Sequence, residues 1–577
     1  MIELNKIGLN QVQLNRLYLN TLSSEQRIRS GGGTGDGFPV LPGDVTRWHF
    51  GGLTNEMMAA MDDPRIEDAD HKGRFLSFKN LAWGGMSGVG GYVQNFNYFR
   101  NNATVDKVRI DEQSSNSIKV TLLTSGMGHV IYIPKDVYQF NKSYFIKISS
   151  EGYNEGDLFL SFYAPSTSTA TTVKVPLNPN GITEIPAIKE DDFLAVYLFN
   201  AAGKVGSITI EQLPLYPGAL VFDGVDDYGV CENFPILTKE KGYTVVALRQ
   251  WISMGEGISG LVSNVKNWFN DGAFVLEYNS NNATNKFVNR PVSFGNVNIE
   301  MDLPNNFTYQ TSKSYKGVPI TTGSFKGTNS LFVGKLNNII GNCSNVAIWE
   351  LVFLDHDATE EELTKIKDYF VKIYPWLFPN QAWTVTGKTN EDEDRATIAN
   401  ITGNGNDLVL SNFGFAEGSG YNEEGEYAGY LVTDGVDDKI ASSDFKIDKD
   451  FTIVGDWKFI IDENKGCGLV KVPKLFIYNS KTGLDIYINS NSIKNILSGI
   501  KGLNAVCSDG RVYDCNWNEI SVKYGNIVDI NSSFLIANSG NIFTKMAFKN
   551  LGIYNNQLLS KDECIKAYNY LQTLKAK

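Results

Sequence analysis

The sequence predicts a mainly β, multidomain protein made of antiparallel β-sandwiches. Three observations predict this class: short segments of alternating apolar and polar residues, Gly, Pro and Asn turns between them, and a D-G-V-D-D hairpin that occurs twice. Aromatic residues make up 12% of the chain, and stretches that favour helix are few. At 577 residues the chain is long enough for roughly three to five domains.

The chain begins with a repeat, LNKIGLNQVQLNRLYLN (residues 4–20), in which Leu-Asn recurs every five residues. The spacing of its apolar positions fits neither a helical stripe nor one long strand, and it predicts very short strands with Asn at the corners. So small a segment needs a partner. Residues 1–29 are therefore predicted to bind sister copies or another protein, with an edge strand on the chain's own domain as the alternative. The predicted contact residues are Ile7, Leu9, Val12, Leu14, Leu17 and Leu19.

Two segments further along match each other without a gap. YPGALVFDGVDDYGV (216–230) aligns with YAGYLVTDGVDDKIA (427–441), and in both the Asp-Gly pair predicts a hairpin turn. Each copy ends in a short helical pattern that begins with a capping box, Thr359 with Glu362 and Ser560 with Glu563. The sequence therefore predicts two related sandwiches, 216–376 and 427–577.

A second matched pair precedes these sandwiches. WHFGGLTNE (48–56) aligns with WTVTGKTNE (383–391), and we call the segments that begin with them the cassettes, 48–92 and 377–426. The second cassette leads directly into its sandwich, whereas residues 93–215 separate the first one from its sandwich. That intervening stretch alternates well, as in SIKVTLLTSG and FLAVYLFN, and it predicts an inserted jelly-roll-like sandwich. Residues 30–47 complete the division as a glycine-rich linker.

Both predicted sandwiches resemble the laminin-G/concanavalin-A-like fold. Phage and bacterial members of that family often open with F-D-G-V-D-D-Y, which occupies residues 222–228 here. The second copy has Thr433 and Lys439 in place of the Phe and the Tyr, which puts an equivalent ligand site there in doubt.

The opening repeat resembles the N-terminal attachment segments of tailed-phage fibre and receptor-binding proteins. The second cassette, continued as TGNGNDLVLSNFGFAEGSGY (402–421), is similar to segments of virion proteins of gut-bacterial phages, including the crAss-like group. These resemblances imply a virion fibre or decoration protein of the head or the tail, anchored to other virion proteins through residues 1–29. They imply a homo-oligomer, with a trimer preferred to a dimer, that displays domains binding host or mucus glycans.

The composition argues against other classes. A net charge of −12 is unfavourable for binding nucleic acid or an anionic membrane surface, and no apolar run reaches transmembrane length. The N-terminus has no signal segment, so we expect a virion protein made in the bacterial cytoplasm rather than a bacterial surface adhesin. The six cysteines form no C-x-x-C pair and are expected to be reduced.

The sequence predicts no enzymatic activity. Glucanases of the concanavalin-like fold use E-x-D-x-x-E, and the nearest match, IEMDLPN (299–305), has Glu300 and Asp302 but Asn305 in place of the second acid. A retaining glycosidase needs two carboxyl groups about 5–5.5 Å apart. The alternative function is a fibre-borne polysaccharide depolymerase.

The sequence also predicts no cofactor and no committed metal site. The four histidines have no ligand spacing; they are His49, His71, His129 and His356. The acidic stretches 62–70 and 390–394 leave calcium open, and turn chemistry explains Asp223, Asp226 and Asp227 without a metal. For sugar binding the sequence offers a region rich in aromatic and Asn residues, NWFNDGAFVLEYNSNN (267–282), but no defined site.

Overall fold

A computed structural model shows a protein built almost entirely from antiparallel β-sheets, which confirms the predicted mainly β class. The structure describes residues 37–576 except 70–72, 102–106, 165–171, 191–192, 238–239, 254–258, 266–273, 280–285, 290–296, 301–305, 320–327, 338–341, 461–466, 473–474, 481–482, 489–490, 494–501, 522–529, 537, 540–541 and 544. The N-terminal repeat, with all six predicted contact residues, lies outside the described residues.

The strands follow one another in four groups. The first cassette contributes β1 (Val45–His49), β2 (Arg65–Glu67), β3 (Phe75–Lys79) and β4 (Gly88–Val89). The inserted sandwich consists of β5 (Arg100–Asn101), β6 (Val108–Gln113), β7 (Ser117–Leu122), β8 (Gly128–Pro134), β9 (Tyr144–Ser150), β10 (Leu158–Tyr163), β11 (Val173–Pro176), β12 (Ile182–Ile185), β13 (Ala195–Asn200) and β14 (Gly206–Gln212).

The body of the first sandwich consists of β15 (Leu220–Asp223), β16 (Tyr228–Cys231), β17 (Thr244–Ser253), β18 (Gly260–Ser263), β19 (Val275–Asn279), β20 (Lys286–Asn289), β21 (Val297–Glu300), β22 (Phe307–Thr311), β23 (Ser314–Tyr315), β24 (Val318–Pro319), β25 (Leu331–Val333) and β26 (Asn345–Leu354). The second cassette and the second sandwich consist of β27 (Gln381–Thr384), β28 (Thr397–Ile398), β29 (Leu408–Ser411), β30 (Gly420–Asn422), β31 (Tyr430–Val432), β32 (Lys439–Ile447), β33 (Phe451–Phe459), β34 (Cys467–Val472), β35 (Leu475–Ser480), β36 (Gly483–Ile488), β37 (Asn491–Ile493), β38 (Gly502–Cys507), β39 (Arg511–Asp514), β40 (Glu519–Ser521), β41 (Ile530–Ile536), β42 (Asn538–Ser539), β43 (Ile542–Phe543) and β44 (Met546–Asn555).

The two large sandwiches have the same sheet topology. In the first, one sheet has the order β24-β23-β22-β17-β26-β15-β4, with β1 also paired to β26, and the other has the order β2-β3-β16-β25-β18-β19-β20-β21. In the second, β40-β39-β38-β33-β44-β31-β30, with β27 paired to β44, faces β28-β29-β32-β41-β34-β35-β36-β37. The internal repeat of the sequence is therefore a repeat of structure, strand for strand.

The cassettes are parts of the sandwiches rather than segments separate from them. The matched tryptophans Trp48 and Trp383 lie on β1 and β27, and both are fully buried in the cores. The matched asparagines Asn55 and Asn390 each clamp the backbone of the last cassette strand: Asn55 Oδ1 accepts from the Val89 amide (2.7 Å), and Asn390 Oδ1 accepts from the Tyr421 amide (2.8 Å).

The inserted sandwich consists of two five-stranded sheets, β11-β10-β13-β8-β5 and β12-β9-β14-β7-β6. Its strands alternate between buried and outward side chains; β7, for example, buries Ile118, Val120 and Leu122 and turns the residues between them outward. This alternation is what a sheet with one packed face requires.

The α-helices within the described ranges are α1 (Asn55–Ala59), α2 (Glu360–Ile373) and α3 (Lys561–Gln572), with 3₁₀ turns at Phe96–Tyr98, Lys135–Val137 and Pro375–Leu377. Both predicted capping boxes are confirmed, because the Thr359 and Ser560 side chains accept from the Glu362 and Glu563 amides (3.3 Å each) while the glutamates bond back. Among the described residues, no helix has the length and apolar character needed to cross a membrane.

Helix α3 lies where the three sandwiches meet. Tyr568 packs edge-on against Phe145 of the inserted sandwich at 5.5 Å, and Asn569 Nδ2 donates to the Pro214 carbonyl. On the first sandwich, Asn306 Nδ2 donates to the Tyr570 hydroxyl at 3.0 Å. Helix α3, which belongs to the second sandwich, therefore contacts both the inserted sandwich and the first sandwich.

Candidate functional site

The outward side of one sheet of the inserted sandwich carries a continuous set of aromatic rings, which we call the aromatic face. Its members come from β8, β10 and β13: His129, Tyr132, Phe159, Tyr163, Tyr197 and Phe199. Each of these side chains is partly exposed, and Tyr163 is 38% exposed, while the residues between them, such as Ile133 and Leu198, fill the core. Strand alternation therefore places the rings in solvent.

The rings of the aromatic face contact one another in an ordered pattern. His129 stacks on Tyr197 with centroids 4.0 Å apart and an interplanar angle of 15°, and Phe199 and Tyr163 meet His129 at 5.3 and 6.1 Å. The ring centroids of Tyr132 and Tyr197 lie 5.6 Å apart. Rings held in this way lose little conformational entropy when a ligand covers them, so the face is a preorganised platform.

Cross-strand register arranges the face in two rows. Arg100, Tyr132, Tyr197, Ser161 and Lys174 lie opposite one another across five strands. The second row runs parallel to it and consists of His129, Phe199, Phe159 and Pro176. Burial lowers the pKa of His129, so this ring is uncharged at neutral pH and acts as an aromatic surface.

The second candidate site is a cleft of about 520 Å³ between the inserted sandwich and the second sandwich. Its walls carry five asparagines and three carboxylates: Asn178, Asn180, Asn504, Asn516, Asn518, Glu155, Glu184 and Asp456. Asp456 is buried and accepts from the Tyr430 hydroxyl (2.8 Å) and Gln572 Nε2 (3.0 Å). Burial raises the pKa of Tyr430 well above its ordinary value, so its hydroxyl remains a donor.

The cleft and the aromatic face offer different chemistry. Trp517 and Tyr568 line the cleft but are only 4% and 5% exposed, and they cover each other edge-on at 5.6 Å. The cleft therefore presents amide and carboxylate groups without an open ring surface. Stacking of a sugar ring requires an exposed ring surface, so the aromatic face is the stronger candidate for sugar binding although the cleft is the enclosed feature.

The D-G-V-D-D turns bring three carboxylates together in each large sandwich. In each turn, oxygen atoms of the three Asp residues lie within 4.8 Å of one another: Asp223, Asp226 and Asp227, and Asp434, Asp437 and Asp438. The last Asp of each turn accepts from the amide of the first, at 3.0 and 2.7 Å. Burial raises the pKa of Asp227 to about 7 and that of Asp438 to about 6. Turn hydrogen bonds account for this geometry without a cation.

In the acidic stretches 62–70 and 390–394, which the sequence offered as possible calcium sites, the carboxylates form separate ion pairs and hydrogen bonds. Asp68 pairs with Arg74 at 3.2 Å, Asp63 with Lys79 at 3.1 Å, and Asp394 with Lys388 at 2.6 Å. Asp392 accepts from Thr389. Within the described part of the chain, the two turn triads are the groups that could hold a metal ion.

The remaining candidates from the sequence are dispersed. His49 Nδ1 lies 2.7 Å from Glu350 Oε1, and His356 Nε2 lies 3.1 Å from Glu362 Oε1. His71 is outside the described residues. In the region 267–282, Phe274 is fully buried in the core. Glu300 ends β21, and Asp302 lies outside the described residues.

Sequence reasoning missed the aromatic face, although its signal is visible. GHVIYIP, LFLSFY and AVYLFN place an aromatic residue at outward positions where a one-faced sheet ordinarily has polar ones.

No protein-family profile matches the chain, and no curated protein matches it. Solved structures align with it at low similarity. The Trypanosoma rangeli sialidase in complex with sialic acid is 10% identical, with 87% of this chain and 92% of that chain covered and a TM-score of 0.24. The receptor-binding domain of botulinum neurotoxin mosaic serotype C/D is 10% identical (59% and 89% covered, TM-score 0.23), and truncated AlyQ with CBM32 and alginate lyase domains is 10% identical (60% and 93% covered, TM-score 0.18).

These alignments correct one expectation. The prediction that the chain is not an enzyme is wrong, because the aligned structures include a sialidase and an alginate lyase, which are enzymes by name. TM-scores of 0.18 to 0.24 carry no argument about which residues would act.

Proposed function

We propose that this chain is a glycan-binding display protein of a bacteriophage virion, and that the aromatic face binds the glycan. The observation that supports glycan binding is the set of partly exposed rings that contact one another around Tyr197. Sugar rings present C–H groups that pack against the faces of aromatic rings, while their hydroxyl groups remain at the rim.

The virion part of the proposal rests on the resemblance of residues 1–29 and of the cassettes to segments of phage virion proteins. In this proposal the repeat binds other virion proteins or sister chains, and a homo-oligomer, trimeric in preference to dimeric, multiplies weak sugar contacts.

Glycan binding is tested by screening the purified chain against bacterial and mucin-type polysaccharides and then measuring affinity for the best binder. Tyr197→Ala is expected to weaken binding about fivefold or more, because stacking on an aromatic side chain contributes about 1–3 kcal/mol per stacked base in nucleic-acid complexes. Tyr427→Ala, a partly exposed tyrosine of the second sandwich, is the matched control and should bind as the wild type does. If Tyr197→Ala and Tyr427→Ala bind the glycan equally well, the aromatic face is not the binding site.

The virion anchor is tested by co-sedimentation of residues 1–30, fused to a fluorescent carrier, with virions lacking the protein. The proposal expects saturable binding that is lost when Leu9, Leu14 and Leu19 are changed to Ser. Assembly of the carrier into a trimer without sedimentation would make the repeat an oligomerisation segment instead.

A polysaccharide depolymerase is the second candidate, and the cleft favours it. Glu184 and Asp456 line the same cleft from two different sandwiches, and glycoside hydrolysis uses a pair of carboxyl groups. This candidate predicts release of reducing ends from the bound polysaccharide, abolished by Glu184→Gln and retained by Glu112→Gln, a glutamate that is 76% exposed and does not line the cleft. Absence of reducing ends from every polysaccharide that the chain binds would reject it.

A further inference from the structure

The aromatic face differs in charge from the rest of the chain. The protein has a net charge of −12. On the outward positions of β5, β8, β10, β11 and β13, however, the described residues include no Asp or Glu; they are the two rows defined above together with Pro134, Tyr163 and Ala195. Because the described outward residues of this sheet carry no carboxylate, the sheet repels an anionic ligand less than the acidic remainder of the protein does.

Two cations lie at opposite ends of the same row. Arg100 is on the edge strand β5 and Lys174 on the edge strand β11, with Tyr132, Tyr197 and Ser161 between them. Four strand spacings of about 4.8 Å separate the two positions by roughly 19 Å. The arrangement is a strip of rings with a positive charge at each end.

Contacts within the inserted sandwich hold both cations in place. Arg100 Nη1 donates to the carbonyls of Asn97 (2.6 Å) and Phe99 (2.9 Å), and Lys174 Nζ lies 5.8 Å from the centre of the Phe199 ring. Both side chains are exposed, so their charges face solvent and remain accessible to a ligand.

We propose that the ligand of the aromatic face is an acidic polysaccharide whose sugar rings carry carboxylates, with Arg100 and Lys174 as its specificity-determining residues. The inference rests on the proposed glycan-binding function and adds the class of glycan. Sugar rings pack on Tyr132 and Tyr197, and carboxylates of the same chain pair with the cations at the two ends. A neutral polysaccharide gains only the first set of contacts.

The test compares a polyuronate with the same polymer after methyl esterification, which removes the charge but keeps the rings. The wild type is expected to bind the polyuronate several-fold more tightly in 50 mM salt, and the difference should shrink in 500 mM salt. Lys174→Glu is expected to weaken polyuronate binding several-fold and to leave binding of the ester unchanged. Lys107→Glu, at an exposed lysine in the turn that precedes β6 of the other sheet, is the matched control with no expected effect.

The outcomes separate the inference from the function on which it rests. Equal affinity for acid and ester, with Lys174→Glu neutral, would overturn the acidic preference and leave glycan binding standing. If the wild type binds neither polymer nor any other glycan, glycan binding itself fails. Dissociation of an oligomer by Tyr197→Ala, measured by sedimentation velocity, would mean that a second copy of the chain covers the face, and would overturn both.

Discussion

The carboxylate of Glu277 is a buried charge in the first sandwich. It is fully buried, and it accepts from Arg249 Nε (2.7 Å) and Nη2 (2.6 Å) and from Trp251 Nε1 (2.9 Å). The hydroxyls of Thr308 (2.6 Å) and Tyr315 (2.8 Å) also donate to it. A carboxylate with so many donors is held in its charged form although no water reaches it.

The size of the effect follows from the pKa of Glu277. Burial alone would raise this pKa, but the charge and hydrogen bonds of Arg249 outweigh burial and lower it to about 2. Relative to an ordinary value of about 4.3, this corresponds to about 3 kcal/mol of stability at neutral pH. Because the folded-state pKa is depressed, the contribution is present above about pH 4 and is lost as the pH falls towards 2.

Glu277→Gln removes the charge and leaves the buried guanidinium of Arg249, which is 4% exposed, facing a neutral amide in place of the carboxylate. Loss of one member of a buried pair costs about 3–5 kcal/mol, so we expect the free energy of unfolding at pH 7 to fall by that amount. Urea unfolding followed by tryptophan fluorescence measures it, with Trp251 as the local reporter. The difference from the wild type should narrow on acidification from pH 5 to pH 2.

Glu361→Gln is the matched control, since this glutamate is 77% exposed and pairs with Lys365 on the surface of α2. It is expected to unfold as the wild type does. A Glu277→Gln variant within about 1 kcal/mol of the wild type at pH 7, or a difference that does not change with pH, would refute the reasoning.

Three further predictions concern the turns, the caps and the cassettes. Asp227→Asn should remove one contribution to the pH dependence of stability: because burial raises the folded-state pKa of Asp227 to about 7, its contribution is fully present below about pH 4 and is lost as the pH rises through 7, and the thermal midpoint of the variant should change less than that of the wild type between pH 4 and pH 8. Thr359→Ala and Ser560→Ala should each lower the free energy of unfolding by about 1 kcal/mol, while Thr359→Ser and Ser560→Thr should retain it. Asn390→Ala should speed hydrogen exchange in β30, whose Tyr421 amide and carbonyl bond to that side chain, whereas Asn404→Ala, an exposed loop residue, should not.

The sequence predicted local features well because their signals are local. Both capping boxes lie within four consecutive residues, and the structure confirms them at Thr359 and Ser560. The alternation that predicted strands in SIKVTLLTSG appears as β7, with Ile118 and Val120 buried.

The features that the sequence did not predict depend on distant parts of the chain. Trp48 of the first cassette pairs with Leu351, and no local pattern indicates a partner so far away. The aromatic face was missed for a different reason: Tyr197 and the buried Phe162 occur in similar alternating strands, and only the packed face of the sheet distinguishes them. The cleft forms only when Glu184 and Asp456 of two sandwiches come together.

Hydrogen exchange measured with and without a bound glycan tests the central claim most directly, because it distinguishes the aromatic face from the cleft. The proposal predicts slower exchange in β8, β10 and β13 on glycan addition, with residues 177–184 and 515–518 of the cleft unchanged. Protection confined to the cleft segments, with the three strands unaffected, would contradict the assignment of glycan binding to the aromatic face.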